Sequence, residues 1–350
     1  MRMRAVVLTE FGGVENFEDA DWPEKEPDAD QVKIRAKAVS VNPTDFKARR
    51  GGNQGAVPII LGRDTAGVVE SVGANVLEFS PGDEVMAYLP RFGDSGGDGY
   101  AQFVCIHQAF VVKKPINATF EQASALPLVS LTAHEAVIMK ARVAPGEAVF
   151  VAGGSGGVGT MGLQMLARIG ASPIVVTAGS DESAKYIEDL IAPAPVAVLK
   201  YPGLSLDALS RRAVEMNGGR LYPATFDFVG REMKKLCCEV VDYWGRISSI
   251  APEPGAPIDE FFSSQEGPLF TKSASFHGTF LRAPVRGGGP AYYGVYKKAL
   301  EEIRDWVETG ELKPPELTDM GVMNAENIAQ AHTLLEEGHV RGKLVLRVGE

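Results

Sequence analysis

Apolar and polar positions change rhythm along this 350-residue chain. Through residues 1–125 the pattern is short-range. Arg4-Ala5-Val6-Val7-Leu8 and Val32-Lys33-Ile34-Arg35-Ala36-Lys37-Ala38-Val39 read as strands, the second alternating as a half-buried strand does. Gly67-Val68-Val69-Glu70-Ser71-Val72-Gly73 reads as a strand closed by glycine, and Ser80-Pro81-Gly82-Asp83 as a turn leading into another strand at Glu84-Val85. These features predict a β-rich, barrel-like lobe. Residues 127–284 alternate instead between apolar runs and helical periodicity. Strands are predicted at Ala148–Ala152, Ile174–Thr177, Phe226–Val229, Gly245–Ile250 and Ser275–Phe280, with helices such as Val158–Ile169 and Leu206–Met216 between them. Strand–helix alternation of this kind implies a parallel sheet with crossover helices. An amphipathic helix over 292–308 and a strand over 340–348 follow, and the tail is assigned back to the first lobe. The predicted fold is α/β: one domain from 1–126 with 285–350, and a doubly wound parallel-sheet domain over 127–284.

One junction in the second domain carries chemistry. Val149-Phe150-Val151-Ala152 runs directly into Gly153-Gly154-Ser155-Gly156-Gly157-Val158-Gly159 and then into a helix-patterned segment. Strand, Gly-x-Gly-x-x-Gly and helix in that order form the dinucleotide-binding fingerprint. Gly154 is read as the tight-turn glycine, Gly156 as the point of backbone approach to a pyrophosphate, and Gly159 as the helix–strand packing position. The N–H groups of Ser155, Gly157 and Val158 at the helix start complete an anion cradle.

Composition narrows the classes. Charged residues make up 23% and hydrophobic residues 45%, an ordinary globular balance. The formal net charge of −10 argues against nucleic acid as a partner, since no basic excess exists to displace phosphate counterions. The cysteines Cys105, Cys237 and Cys238 form no disulfide framework, and the adjacent pair reads as packed thiols on a helix. No apolar run approaches the roughly 20 residues that span a bilayer, and the chain opens on a strand pattern rather than a signal peptide. A cytoplasmic location without membrane attachment is expected.

The second strand of a nicotinamide-binding fold commonly ends in an acid for the ribose 2′-hydroxyl. Here it ends Val176-Thr177-Ala178-Gly179-Ser180. Small residues there, with Ser180 and Lys185 available to a 2′-phosphate, favour NADPH. Asp181 reads first as the cap of the following helix.

At this point the chain resembles the medium-chain dehydrogenase/reductase superfamily, and most closely its zinc-independent quinone-oxidoreductase branch. The resemblance rests on Asn42-Pro43-Thr44-Asp45-Phe46-Lys47, Leu61-Gly62-Arg63-Asp64-Thr65-Ala66-Gly67-Val68-Val69, Gly99-Tyr100-Ala101-Gln102-Phe103, Leu131-Thr132-Ala133, the glycine loop, and Gly342-Lys343-Leu344-Val345-Leu346, in that order. It implies a GroES-like catalytic domain joined to a Rossmann domain, and a homodimer formed along the Ser275–Phe280 sheet edge. The zinc enzymes of the superfamily place Cys, His, Glu and Cys where this chain has Asn42, Arg63, Asp64 and about Leu128. Asparagine, arginine and leucine do not ligate zinc, and the cysteine cluster of a structural zinc lobe is missing. No metal is therefore expected. Without a Lewis acid, the favoured reaction is hydride addition to an acceptor that is already electrophilic, a quinone or an α,β-unsaturated carbonyl.

The resemblance places Asn42 and Lys47 at the nicotinamide or substrate, with Lys47 stabilising enolate charge and Asp45 organising it. Arg63 reads either as an anion-stabilising group or as a structural partner of Asp64 or Asp45. Tyr88 is a candidate proton donor or a packed aromatic. For the cofactor, the resemblance adds Thr132 near the nicotinamide, Tyr201 near the adenosine phosphate and Lys343 near the phosphates. Val229, Gly230, Ser248, Ile250 and Phe280 stand at the carboxyl ends of later strands, where such sheets border the cofactor. His332 and His339 read as exposed helix residues. Two loops, 251–268 and 282–290, exceed the family pattern. Arg282 and Arg286 in the second read as solvated charges, or as groups for the carboxylate or phosphate of a larger substrate such as an acyl thioester. The alternatives to a quinone or enone reductase are an enoyl-thioester reductase of the same superfamily and an NADPH-binding protein with little turnover.

Overall fold

The computed structural model describes residues 1–350 apart from 52–55, 92–96, 253–260, 266, 339 and 350. Half of the 251–268 loop and His339 therefore lie outside the described residues. The chain forms two compact units, Met1–Leu131 with Arg282–Glu350, and Thr132–Leu281.

The first unit is built on antiparallel sheets. Strands β1 (Arg2–Leu8), β2 (Phe17–Pro23) and β4 (Ile59–Ile60) form one sheet in the order β2-β1-β4. The larger sheet follows the order β15-β16-β3-β5-β6-β8, from β3 (Gln31–Val41), β5 (Asp64–Val72), β6 (Glu84–Tyr88), β8 (Val111–Lys113), β15 (Leu317–Val322) and β16 (Lys343–Arg347). Strand β7 (Phe103–His107) also pairs with β3. The C-terminal strand β16 lies antiparallel against β3, with Leu344 opposite Val41, so the two separated stretches of sequence share one sheet. Gly67 shows how tightly β5 lies on β3: a Cβ there would stand 2.1 Å from the Arg35 carbonyl oxygen. The apolar faces of β1, β3 and β16 meet helix Ala325–Glu337 in a core that includes Val6, Leu8, Val39, Leu61, Ile328 and Leu346.

The second unit holds a parallel sheet. Strands β9 (Val149–Ala152), β10 (Ile174–Ala178), β11 (Val196–Lys200), β12 (Tyr222–Asp227), β13 (Val241–Ser249) and β14 (Ser275–Gly278) take the order β11-β10-β9-β12-β13-β14. Every residue of β9 and β10 is buried, as expected for parallel strands covered on both faces. The chain winds outward from β9 through β10 to β11, then restarts beside β9 at β12 and winds the other way. Loops leaving β9 and β12 therefore diverge at the switch point, where open α/β sheets bind ligands. Helix Leu206–Met216 forms as its periodicity predicts, with the Ser205 hydroxyl accepting from the Ala208 N–H at its start. Cys237 and Cys238 are buried on helix Glu232–Val240, and burial pushes the Cys238 thiol up to about 12.

His332 departs from expectation. It is fully buried, its Nε2 lies 3.1 Å from the Tyr100 hydroxyl, and Phe17 meets its ring edge-on at 4.9 Å. Burial first, then the charge of Arg49, presses its pKa down to about 3, so the ring is neutral. A polar residue on the core face of a helix is tolerated because Tyr100 supplies a partner. Replacing Tyr100 with Phe removes that partner, and a buried orphaned polar group costs about 1–3 kcal/mol. Urea unfolding of Tyr100→Phe is expected to show a lower midpoint at unchanged slope; an unaltered midpoint contradicts the bond.

Candidate functional site

The glycine loop is shaped by three separate constraints. Gly153 holds φ +91, so it and not Gly154 makes the turn out of β9, which corrects the sequence expectation. Its N–H donates to the Thr177 hydroxyl at 3.1 Å, fixing the loop against β10. Gly154 is required by packing, since a Cβ there would meet Val176 Cγ2 at 2.4 Å. Gly159 presses its helix against the loop, where a Cβ would stand 2.0 Å from the Gly153 carbonyl oxygen. Gly156 is different: a Cβ on it would meet no protein atom within 4 Å. It also stands at the N-cap of helix Gly157–Ile169, where no side chain accepts from the first turn. An uncapped helix start with partial positive charge, facing space kept open by glycine, fits a pyrophosphate. The residues present fit the expected dinucleotide.

At the end of β10, Ser180 is the helix cap: its Oγ accepts from the Ser183 N–H at 3.1 Å. Asp181, expected to cap, instead pairs with Lys200 at 2.6 Å. Lys185 pairs with Asp189 one helical turn on, at 2.8 Å. Lys200 ends β11 directly beside Ala178 in the parallel register, and the Tyr201 ring covers Gly179. Sequence reasoning missed Lys200, which only strand register brings to the end of β10. Further along, Asp227 at the end of β12 accepts from the N–H groups of Val229 (3.1 Å) and Gly230 (2.6 Å) and from the Ser249 hydroxyl (2.6 Å). This carboxylate holds the Val229–Gly230 turn, leaving Val229 exposed. Ser248 is buried against the Thr279 hydroxyl at 3.1 Å, Ile250 donates its N–H to the Asp227 carbonyl, Phe280 is half exposed, and Thr132 is buried.

In the first unit, residues expected at the catalytic position meet in a buried polar cluster. Asn42 follows β3 directly and caps helix Pro43–Arg49. Its Nδ2 donates to Asp64 Oδ2 at 2.8 Å, where the Ser40 hydroxyl also donates at 2.9 Å, and Asp64 Oδ1 accepts from the Leu128 N–H at 2.8 Å. Lys343 completes the cluster. Its ammonium donates to the Val41 carbonyl at 3.1 Å and to Asn42 Oδ1, and lies 3.7 Å from Asp64 Oδ2. Its donors are thus engaged inside this unit, correcting the expectation that it faces the cofactor phosphates. Burial raises the Asp64 carboxyl while Lys343, Asn42, Leu128 and Ser40 pull it down; burial likewise lowers the Lys343 ammonium while Asp64 holds it up. Asn42, Asp64 and Leu128, at the positions of zinc ligands in related enzymes, do converge here. An amide, a carboxylate bound to lysine and a backbone N–H make no zinc site, so the donor set does not fit the metal.

Arg63 sits beside this cluster with its side chain 1% exposed. Among the described residues it pairs with Asp45, Nε lying 3.9 Å from Oδ1, so of the two expected partners the structure favours Asp45. Asp45 Oδ2 accepts from the Asn42 N–H at 2.8 Å and orders the start of the helix. Burial lifts the Asp45 carboxyl to about 6, with Arg63 opposing. Tyr88 is buried in an aromatic group, 6.2 Å from the Phe110 ring and 5.9 Å from that of Tyr296. Lys47 lies exposed on its helix.

Comparison with known proteins gives a consistent picture. Residues 28–116 match the family model of the alcohol dehydrogenase GroES-like domain, and residues 207–346 that of zinc-binding dehydrogenases. An NADPH-dependent alkenal/one oxidoreductase of Arabidopsis thaliana is 26% identical over 98% of this chain and 79% of its own length. A zinc-type alcohol dehydrogenase-like protein of Staphylococcus aureus is 28% identical over 92% of each chain. The solved structure of a quinone oxidoreductase from Coxiella burnetii superposes with a TM-score of 0.80 at 26% identity, covering 100% of both chains.

The Asp45 carboxyl yields a test. Its folded pKa of about 6 lies above the ordinary 3.8, so the stability it contributes is complete below the ordinary value and is lost as pH rises through about 6. Asn in its place never ionises. The stability difference between the wild type and Asp45→Asn, from denaturant titrations at pH 4.5 to 7.5, should shift toward the variant as pH rises. A difference constant across that range contradicts the burial of this charge.

Proposed function

Because this chain belongs to the medium-chain dehydrogenase/reductase superfamily, we propose that it is an NADPH-dependent oxidoreductase that reduces activated alkenes, the α,β-unsaturated carbonyls, and the related quinones without a catalytic zinc. The observation that carries the zinc-free chemistry is the Asn42–Asp64–Lys343 network, which fills the metal position with an internal ammonium–carboxylate pair. The names of the Arabidopsis and Coxiella relatives support the substrate class. The zinc-type name of the Staphylococcus relative does not transfer to a donor set lacking thiolate and imidazole.

When bound, NADPH supplies a hydride to the β-carbon of the conjugated acceptor, whose own π system carries charge to the carbonyl oxygen. Gly156 and the first-turn N–H groups of helix Gly157–Ile169 would hold the pyrophosphate. Ser180, Lys200, Tyr201 and, on the next turn, Lys185 would surround the adenosine 2′-phosphate, with no carboxylate on β10 to repel it. Val229, Gly230, Ser248, Ile250, Phe280 and Thr132 would border the remainder. Arg63 and Lys47 would supply positive potential for the developing enolate oxygen. Tyr88, enclosed by aromatic rings, has the weaker claim to proton donation. Asn42 and Lys343 would act as positioning residues that oppose the upward push of burial on the Asp64 carboxyl. Exposed β14, with a strand neighbour on one side only among the described residues, supports a homodimer along that edge. Among the described residues no helix is long and apolar enough to cross a membrane.

Absorbance at 340 nm, followed with a panel of enones, quinones and plain alcohols, tests the reading. Enone- or quinone-dependent NADPH oxidation, unchanged by a chelator, is expected, with KM for NADPH at least about tenfold below that for NADH, a gap of ~1.4 kcal/mol. Turnover confined to plain alcohols and abolished by the chelator rejects it, and tight NADPH binding without turnover on any acceptor supports the binding-protein alternative. A second measurement isolates the loop. Gly156→Val points a side chain into space that no protein atom fills, so it should weaken NADPH binding by about tenfold or more while leaving the thermal midpoint of the apoprotein in place. Unchanged affinity would show that the pyrophosphate lies elsewhere.

A further inference from the structure

Arg63 is held where a guanidinium has little reason to be. Its carbonyl accepts from the Leu89 N–H at 2.7 Å, and the next residue, Asp64, stands opposite Tyr88 in the β5–β6 register. The backbone is thereby fixed at the start of a strand pair. The side chain is buried, and its Nε, Nη1 and Nη2 find no hydrogen-bond acceptor among the described residues. Asp45 Oδ1, 3.9 Å from Nε, is too far for a hydrogen bond and itself lacks a donor among those residues. A second guanidinium feels the charge of the first. Arg282 belongs to the same unit, and its Nε is also buried without an acceptor among the described residues. Burial first, then the like charge of Arg63, presses Arg282 below its ordinary range, with the Tyr88 phenol opposing.

The charge balance defines what is missing. A guanidinium does not escape burial by losing its proton. Among the described residues, Asp45 is the one carboxylate within 4.0 Å of either guanidinium, and it faces Arg63. Arg91 and Asp98 lie nearby, and Asp98 also pairs with Lys25 at 3.1 Å, so they offer no spare anion. Arg286 is exposed and solvated. Among the described residues one positive charge is thus left without a counter-ion, which calls for a monoanion; a dianionic phosphate would exceed it beside Asp45. A transient enolate does not satisfy the balance, because it exists only during turnover. The planar donor fork of arginine matches a carboxylate through paired N–H···O bonds.

We infer that Arg63 and Arg282 form a binding site for a carboxylate carried by the substrate, so that the preferred acceptor is an unsaturated oxo acid rather than a neutral enone. The inference deepens the reductase reading and rests on it for the alkene, whereas the anion site stands on the two arginines.

The experiment separates the two. Calorimetry on the full chain saturated with NADPH compares an unreactive acid, 4-oxopentanoate, with its methyl ester, while turnover compares 4-oxopent-2-enoate with its methyl ester. The acid is expected to bind at least about tenfold more tightly than the ester, a difference of ~1.4 kcal/mol. Arg282→Gln, on a half-buried segment, should abolish that ratio, and Arg63→Gln should do the same; the first keeps the test decisive where the second fails to fold. Equal binding of acid and ester by the wild type, or a ratio that survives in Arg282→Gln, overturns the site. Arginine-dependent binding of the acid with neither alkene reduced upholds the site and rejects the reductase. Equal turnover of both alkenes with equal binding of acid and ester does the reverse.

Discussion

The buried contact among Asp64, Asn42 and Lys343 is the constraint on which the first unit depends. Asn42 follows β3, Asp64 opens β5 and Lys343 opens β16, so three strands from widely separated stretches are joined by one carboxylate and one ammonium. Taking both ions out of water is costly, and the pair is tolerated only because Ser40, Asn42, the Leu128 N–H and the Val41 carbonyl complete its hydrogen bonds. Such a pair is poor as a source of stability and good as a selector of register. A shift of β16 by one residue would leave the carboxylate buried without a counter-charge.

The same pair occupies the place where a zinc ion would need thiolate or imidazole ligands, and it offers neither. Related enzymes gather ligands at this point, and the backbone here still brings the corresponding positions together. An internal cation neutralises Asp64, the one acidic group retained there. Close by, Arg63 is buried with its donors unspent among the described residues. A chain of net charge −10 thus buries a guanidinium whose donors have no acceptor among the described residues, which its overall balance does not disclose.

What could be read from the sequence was whatever short-range chemistry determines. The fold class followed from strand and helix rhythm, and helix Leu206–Met216 followed because its apolar stripe and Ser205 cap are local. The glycine fingerprint was visible as a motif, yet the assignment of the turn to Gly154 was wrong. Backbone φ at Gly153 and the approach of Val176 to Gly154 arise from packing that the motif does not encode. Lys200 escaped notice because only the parallel register of β10 and β11 sets it beside Ala178. His332 read as exposed because its partner, Tyr100, lies on a distant stretch. Lys343 read as a phosphate ligand for the same reason: the atoms that claim its ammonium belong to β3 and β5.

The interleaving of the two units also bears on the order in which the chain can fold. Thr132–Leu281 is continuous and complete in itself, with all six strands of its sheet supplied in sequence. The first unit is not, because β15 and β16 come from the far side of that insertion. On a ribosome, Asp64 emerges long before the lysine that neutralises it. Until β16 arrives, the edge of β3 that it will cover stays open and the carboxylate beneath stays hydrated or protonated. The parallel-sheet unit is therefore free to form while its neighbour waits for β16 to join β15 to β3 in the larger sheet.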